Sequence, residues 1–76
     1  MNSKLKTTRK RIGISQMDLS HKTGISQGYL ARLERGTRRG SIAVYARLAH
    51  ALGVPIQEIL PLDDALEQEA HDVYES

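Results

Sequence analysis

The segment Ser15–Gly36, S-Q-M-D-L-S-H-K-T-G-I-S-Q-G-Y-L-A-R-L-E-R-G, constrains the fold of this chain more than any other. It predicts two short amphipathic helices joined by a tight turn. Ser15 is a good N-cap for the first, because its hydroxyl can accept from an amide that the first helical turn leaves unpaired. Asp18 falls in that first turn, where a carboxylate complements the helix dipole, although Glu or Gln would make the fuller capping box. Leu19 and the small Ser20 face inward. Gly24 supplies the left-handed backbone of the turn. Ser26 then caps the second helix, whose Leu30 and Leu33 point to the core with Tyr29 near its edge, and Gly36 ends it. The second helix keeps an outward face of small and polar side chains.

The remainder of the chain reads as support for this unit. At 76 residues there is room for one domain at most. A domain near this size buries only about 60% of the surface that its unfolded chain exposes. No cysteine is present, which excludes a disulfide or a thiolate metal site. With no Trp and no Phe, the core must come from Leu, Ile, Val, Ala and Tyr. No apolar run approaches the roughly 20 residues of a membrane span. The opening M-N-S-K-L-K-T-T-R-K-R is basic but is not followed by the apolar stretch of a signal peptide. The expectation is a soluble, cytoplasmic protein.

A formal net charge of +2 conceals a strong asymmetry. All eleven Lys and Arg lie between Lys4 and Arg47, opposed before Glu58 only by Asp18 and Glu34, so residues 1–57 carry +9. Residues 58–76 hold seven acids and no base. A basic body with an acidic tail suits a polyanion-binding body, although the same pattern describes a solvated surface with no partner.

Periodicity predicts the supporting helices. Leu5, Thr8, Arg9 and Ile12 share one face of a first helix over about residues 3–11, which Gly13 stops. After the basic loop T-R-R-G, Ser41 caps a fourth helix with Ile42, Tyr45, Leu48, Ala49 and Leu52 as its inner stripe and Gly53 at its end. Pro55 opens a short fifth helix that Pro61 closes, with Ile56, Ile59 and Leu60 as its apolar residues. The fold class is therefore all-α, a compact five-helix domain over residues 1–61 with an acidic tail over 62–76. In the tail, Leu66, Ala70 and Val73 recur at helical spacing among acids, which leaves a sixth helix and disorder both open.

Two short helices around a tight turn, the second with a small and polar outer face, are how a helix-turn-helix lays a helix in the major groove of DNA. The run G-I-S-Q-M-D-L-S-H-K-T-G-I-S-Q-G-Y-L-A-R-L-E-R-G, followed by L-A-H-A-L-G-V-P, resembles the phage-repressor-like helix-turn-helix proteins, the lambda-repressor-type or Xre family, over about residues 4–61. The resemblance implies a five-helix fold, sequence-specific binding of double-stranded DNA and, often, a homodimer on a two-fold operator. Ser20 stands where the family usually has Ala, Thr23 where an apolar residue is common, and Ala43 where Glu is frequent.

The N-terminal residues of a groove-docked helix approach the base edges. Gln27 is the first candidate, because an amide can donate and accept at once and so match N7 and N6 of adenine. Gly28 presents no side chain; either it lets the duplex approach closely or it is tolerated near a helix start. Arg32, four residues on, shares that face and can take guanine O6 and N7 as a bidentate pair, with a phosphate contact as the rival reading. Ala31 could meet a thymine methyl or simply favour helix. Gln16, Ser26, Tyr29, Arg35, Arg38, Arg39 and Arg11 are candidates for phosphate, with Lys4, Lys6 and Lys10 adding a diffuse field. Gln16 would work beside the amides at the start of its helix. By the resemblance, it would also brace Gln27, and Arg9 and Glu34 would form a partly buried salt bridge.

One short helix reads few bases, so a two-fold dimer is expected, with half-sites near one DNA turn apart, about 34 Å. The interface candidates are Val54, Ile56, Leu60, Leu62 and Leu66, some of which the core must also claim. The acidic tail either folds over a second subunit or competes with DNA for the basic face. The favoured reading is a transcriptional regulator that represses by occupying an operator. The alternative is an antitoxin-type autoregulator whose tail binds a toxin protein. An enzyme is disfavoured: His21, His50 and His71 lack metal-ligand spacing, there is no phosphate-binding glycine motif, and no nucleophile has a partner base. No cofactor and no metal are expected.

Overall fold

The computed structural model describes residues 3–61, and within them the chain forms four α-helices and one 3-10 turn. The helices are α1 (Lys4–Ile12), α2 (Gln16–Thr23), α3 (Gln27–Arg35) and α4 (Ile42–Leu52), and the 3-10 turn is Ile56–Glu58. The tail, for which a sixth helix and disorder are both open, lies outside this range.

Each α-helix starts on a serine and stops on a glycine. Ser3, Ser15, Ser26 and Ser41 accept through Oγ from the amides of Lys6, Asp18, Tyr29 and Val44. Each bond satisfies one of the donors that a helix start leaves unpaired, worth about 1 kcal/mol apiece. Gly24 closes α2 at φ 76°, in the left-handed region, which lets the chain reverse and restart at Ser26 two residues later. Ala in that conformation would be strained by roughly 1–2 kcal/mol.

The core is aliphatic with one aromatic. Leu5 of α1, Leu19 of α2, Leu30 of α3, Leu48 of α4 and Ile59 after the 3-10 turn are almost completely buried, so each α-helix and the residue that follows the 3-10 turn send a side chain to a common centre. Leu33, Tyr45, Ala49, Leu52 and Ile25 complete it. α2 packs on α3 and α4, while α1 packs on α3 and the 3-10 turn. This arrangement holds α3 by its inner face alone.

Three expectations need correcting. Ile42, expected in the inner stripe of α4, is 67% exposed. It is the first residue of its helix, ahead of the turn that meets the core, and Tyr45 makes that contact instead. Ile12, expected on the inner face of α1, is 43% exposed because the chain leaves the helix at Gly13, and Ile14 packs against the core in its place. The predicted fifth helix is a single 3-10 turn. Its bonds run from Glu58 N to Pro55 O and from Ile59 N to Ile56 O, each 3.0 Å. Pro55 is extended at ψ 150° and no side chain caps the turn. So short a stretch between Pro55 and Pro61 cannot repay the nucleation of an α-helix.

Candidate nucleic-acid interface

The outward face of α3 begins at Gln27 and Gly28 and continues one turn later at Arg32, all three exposed, while Leu30, Leu33 and Glu34 on the opposite side are buried. A Cβ added at Gly28 would meet nothing within 4 Å. Gly28 is also helical rather than left-handed, so neither packing nor backbone conformation requires a glycine there.

Gln16 begins α2 and lies half-buried between the interior and this face. Its Nε2 donates to Glu34 Oε1 at 3.1 Å, and its Oε1 accepts from Gln27 Nε2 at 3.5 Å. The contact with Gln27 is the one that the family resemblance implies, whereas the bond to Glu34 has no signal in the sequence. Adjacent peptide amides at the start of α2 still point outward, as at any helix N-terminus.

Arg9 and Glu34 are joined twice, Nε to Oε2 at 2.6 Å and Nη2 to Oε1 at 3.0 Å, with side chains 11% and 3% exposed. Arg9 Nη1 also donates to the Ile14 carbonyl at 2.9 Å, which ties α1 to the strand of chain that enters α2. The guanidinium pKa is raised, chiefly by its hydrogen bond to Glu34 and against the desolvation of burial. A raised arginine pKa adds stability that is fully present below the ordinary arginine range and is lost only as pH climbs beyond it, so this charge persists across all ordinary pH. Glu34→Gln alone leaves Arg9 buried beside a neutral partner. The expected cost is about 3–5 kcal/mol, the range for breaking a buried pair. An unchanged melting temperature would contradict it.

The turn itself is tied by the hydroxyls of Thr23 and Ser20. Thr23 Oγ1 donates to the Leu19 carbonyl at 2.8 Å and accepts from Ile25 N at 3.2 Å. Ser20 Oγ donates to the Ile25 carbonyl at 2.5 Å. The sequence marks both only as departures from the residues usual in the family it resembles. The available signal was their spacing, since hydroxyls two and five residues before Ile25 flank the backbone that must turn.

The remaining phosphate candidates are distributed more widely. Ser26 Oγ accepts from Tyr29 N, leaving its hydroxyl proton free to donate outward. Tyr29 is half-buried against the core, and the Arg38 guanidinium lies 5.2 Å from its ring centroid, within cation–π range. Arg35, Arg38 and Arg39 are exposed at and after the end of α3. Arg11 lies elsewhere. Its Nη2 is 3.6 Å from Glu58, and both lie on an open groove of about 380 Å³ with Lys4, Thr7 and Thr8, between α1 and the 3-10 turn. That pair is more than half exposed and contributes about 0–1 kcal/mol. Of the proposed interface residues, Val54, Ile56 and Leu60 are half-buried and packed against the core, whereas Leu62 and Leu66 lie outside the described residues.

Among the described residues, no group of three His, Cys, Asp or Glu could hold a metal ion, and no helix is long and apolar enough to cross a membrane.

Comparison with known proteins agrees with this geometry. The helix-turn-helix family profile matches residues 5–59. An uncharacterised HTH-type transcriptional regulator of Sinorhizobium fredii is 37% identical over 57 residues, covering 74% of this chain and 74% of that protein. The immunity repressor protein of Bacillus phage phi105 is 28% identical over 69 residues, covering 91% of this chain and 48% of the repressor. Among solved structures, the restriction-modification controller protein C.AhdI from Aeromonas hydrophila superposes with a TM-score of 0.69 at 33% identity, covering 72% of this chain and 83% of that one. These relatives are described as a transcriptional regulator, an immunity repressor and a controller protein, and none is described as an enzyme.

Proposed function

We propose that this chain, which belongs to the phage-repressor-like (Xre) family of helix-turn-helix proteins and is a transcriptional regulator, represses transcription by laying α3 in the major groove of a two-fold operator as a homodimer. The observation that carries the reading is the two-sided character of α3. Its inner side is buried and its outer side offers Gln27 and Arg32 around a glycine that the fold does not need. Removing a Cβ from a helix costs about 1 kcal/mol relative to Ala. Close approach of a duplex accounts for that cost. The likeness to a phage immunity repressor supports repression over activation.

In this reading Gln27 meets an adenine edge and Arg32 a guanine edge. Gln16, Ser26, Tyr29, Arg35, Arg38 and Arg39 hold phosphates and fix the register of the helix. Arg11, paired with Glu58, contributes charge to the field rather than a defined contact. The partly exposed edges of Val54, Ile56 and Leu60 supply the start of a dimer interface, continued by Leu62 and Leu66. The protein acts in the cytoplasm, on the nucleoid or on phage or plasmid DNA.

In-vitro selection of bound DNA tests this directly. The expected product is a palindrome whose half-sites are centred about 34 Å apart. If about six phosphates are neutralised, the log–log salt slope is roughly −5. Arg32→Ala is expected to relax one base position in each half-site, a loss of about 1–3 kcal/mol in discrimination. A uniform loss of affinity with every base preference intact would instead make Arg32 a phosphate contact. Failure to enrich any symmetrical sequence would reject the operator reading altogether.

A further inference from the structure

The hydrogen-bonded chain that ends at Gln27 starts in the interior, and chemistry fixes its direction. An ion-paired carboxylate only accepts. Glu34 Oε1 takes Arg9 Nη2 at 3.0 Å and Gln16 Nε2 at 3.1 Å, while Oε2 takes Arg9 Nε at 2.6 Å. Gln16 must therefore turn its amide nitrogen inward and its carbonyl oxygen outward. That oxygen also only accepts, so Gln27 turns its own nitrogen toward it, at 3.5 Å. One N–H of Gln27 is committed, and one N–H and the carbonyl oxygen remain for a ligand. A donor beside an acceptor is the complement of adenine, which offers N7 as acceptor and the N6 amino group as donor.

The opposite polarity would read a different base. With Gln16 reversed, its nitrogen would point outward and engage the Gln27 carbonyl. Gln27 would then turn its carbonyl inward and both N–H donors outward, which suit the paired acceptors O6 and N7 of guanine. The backbone does not choose between these states. The carboxylate at the buried end of the chain does, and the Arg9 bond to the Ile14 carbonyl fastens that end to the segment leading into α2.

We propose that Glu34 determines specificity: acting through Gln16, its carboxylate sets the orientation of the Gln27 amide and so selects adenine over guanine at one position of each half-site. Glu34 touches no base in this scheme and is a positioning residue. The proposal rests on Gln27 reading a base, and the test separates the two.

Base preference at every operator position is measured by competition binding of the full chain, below the melting temperature of each variant, for Gln27→Ala, Gln16→Met and Glu34→Gln. Gln27→Ala is expected to erase the preference at one position, which identifies the base that Gln27 reads. Glu34→Gln frees Gln16 to take either orientation. The adenine-over-guanine ratio at that position falls about tenfold, the lower part of the range for a bidentate contact, while the Arg32 position and the salt slope are unchanged. Gln16→Met is expected to give the same fall, together with an even loss of affinity from any phosphate contact; if Glu34→Gln does not fold, Arg9→Met combined with Glu34→Leu, which strands no charge, takes its place with the same expected fall. Full adenine preference in Gln16→Met, alongside a lost preference in Gln27→Ala, overturns the relay and leaves base reading by Gln27 intact. An even loss across all positions in Glu34→Gln marks a purely structural role and also overturns it. No altered position in Gln27→Ala removes the premise and the proposal together.

Discussion

The turn that leads into α3 and the connection that leaves it are laid out alike, each running from a left-handed glycine, Gly24 or Gly36, to a serine cap, Ser26 or Ser41. Between those ends they differ. The entry turn is two residues long and is gripped by side chains, with Ser20 and Thr23 holding both the amide and the carbonyl of Ile25. The exit runs from Gly36 through Thr37, Arg38, Arg39 and Gly40, tied by Thr37 N to the Arg32 carbonyl at 3.0 Å and by a long 3.5 Å bond from Gly40 N to the Tyr45 hydroxyl. The entry turn fixes the angle between α2 and α3, on which the aim of Gln27 depends. The exit carries two exposed arginines, and a cation needs far less exact placement than an amide reading a base edge. The contrast teaches that positional accuracy is concentrated where α3 begins.

The comparison breaks if changes at the two connections cost the same. Thr23→Val should have the largest effect. Valine keeps the shape but strands the Ile25 amide, and Ile25 is only 6% exposed. A loss of about 1–3 kcal/mol is expected for an unsatisfied buried donor, read from urea denaturation. Gly24→Ala follows, at roughly 1–2 kcal/mol, because no contact opposes the new methyl group and only the left-handed backbone does. Thermal melts should place it just below Thr23→Val. At the exit, Arg38→Ala removes a cation lying over Tyr29 and should cost about 0.5–1 kcal/mol or less. Its signature belongs in binding instead, where the salt slope should become shallower by about 0.9 per protomer if Arg38 holds one phosphate. An Arg38 variant as unstable as Thr23→Val would erase the distinction between the two connections.

The sequence exposed the helices and their ends because those are encoded locally. A serine hydroxyl reaches an amide three residues away, and a glycine is needed wherever the backbone turns left-handed, so Ser15, Gly24, Ser26 and Gly53 can be read without any tertiary information. Ile42 and Ile12 misled because helical periodicity does not register that the terminal residue of a helix lies past the edge of its partner. The segment between Pro55 and Pro61 had apolar residues at helical spacing, yet it is too short for the spacing to outweigh nucleation. At the candidate interface, residue type and position picked out Gln16, Gln27 and Arg32. The bond from Gln16 to Glu34 was hidden, because it depends on how α1, α2 and α3 converge on one carboxylate, and no single helix carries that information.

The buried setting of the Arg9–Glu34 pair has a practical consequence for how this protein would be handled and how it would exchange between sites. At about 1 M salt the screening length shrinks to about 3 Å, which dissolves attraction between exposed charges but barely reaches a pair sealed inside the fold. Ionic strength that strips the basic surface from a polyanion should therefore leave the helices assembled. Release is then a detachment of an intact body, ready to rebind when the salt is lowered, and the two processes can be titrated independently in one sample.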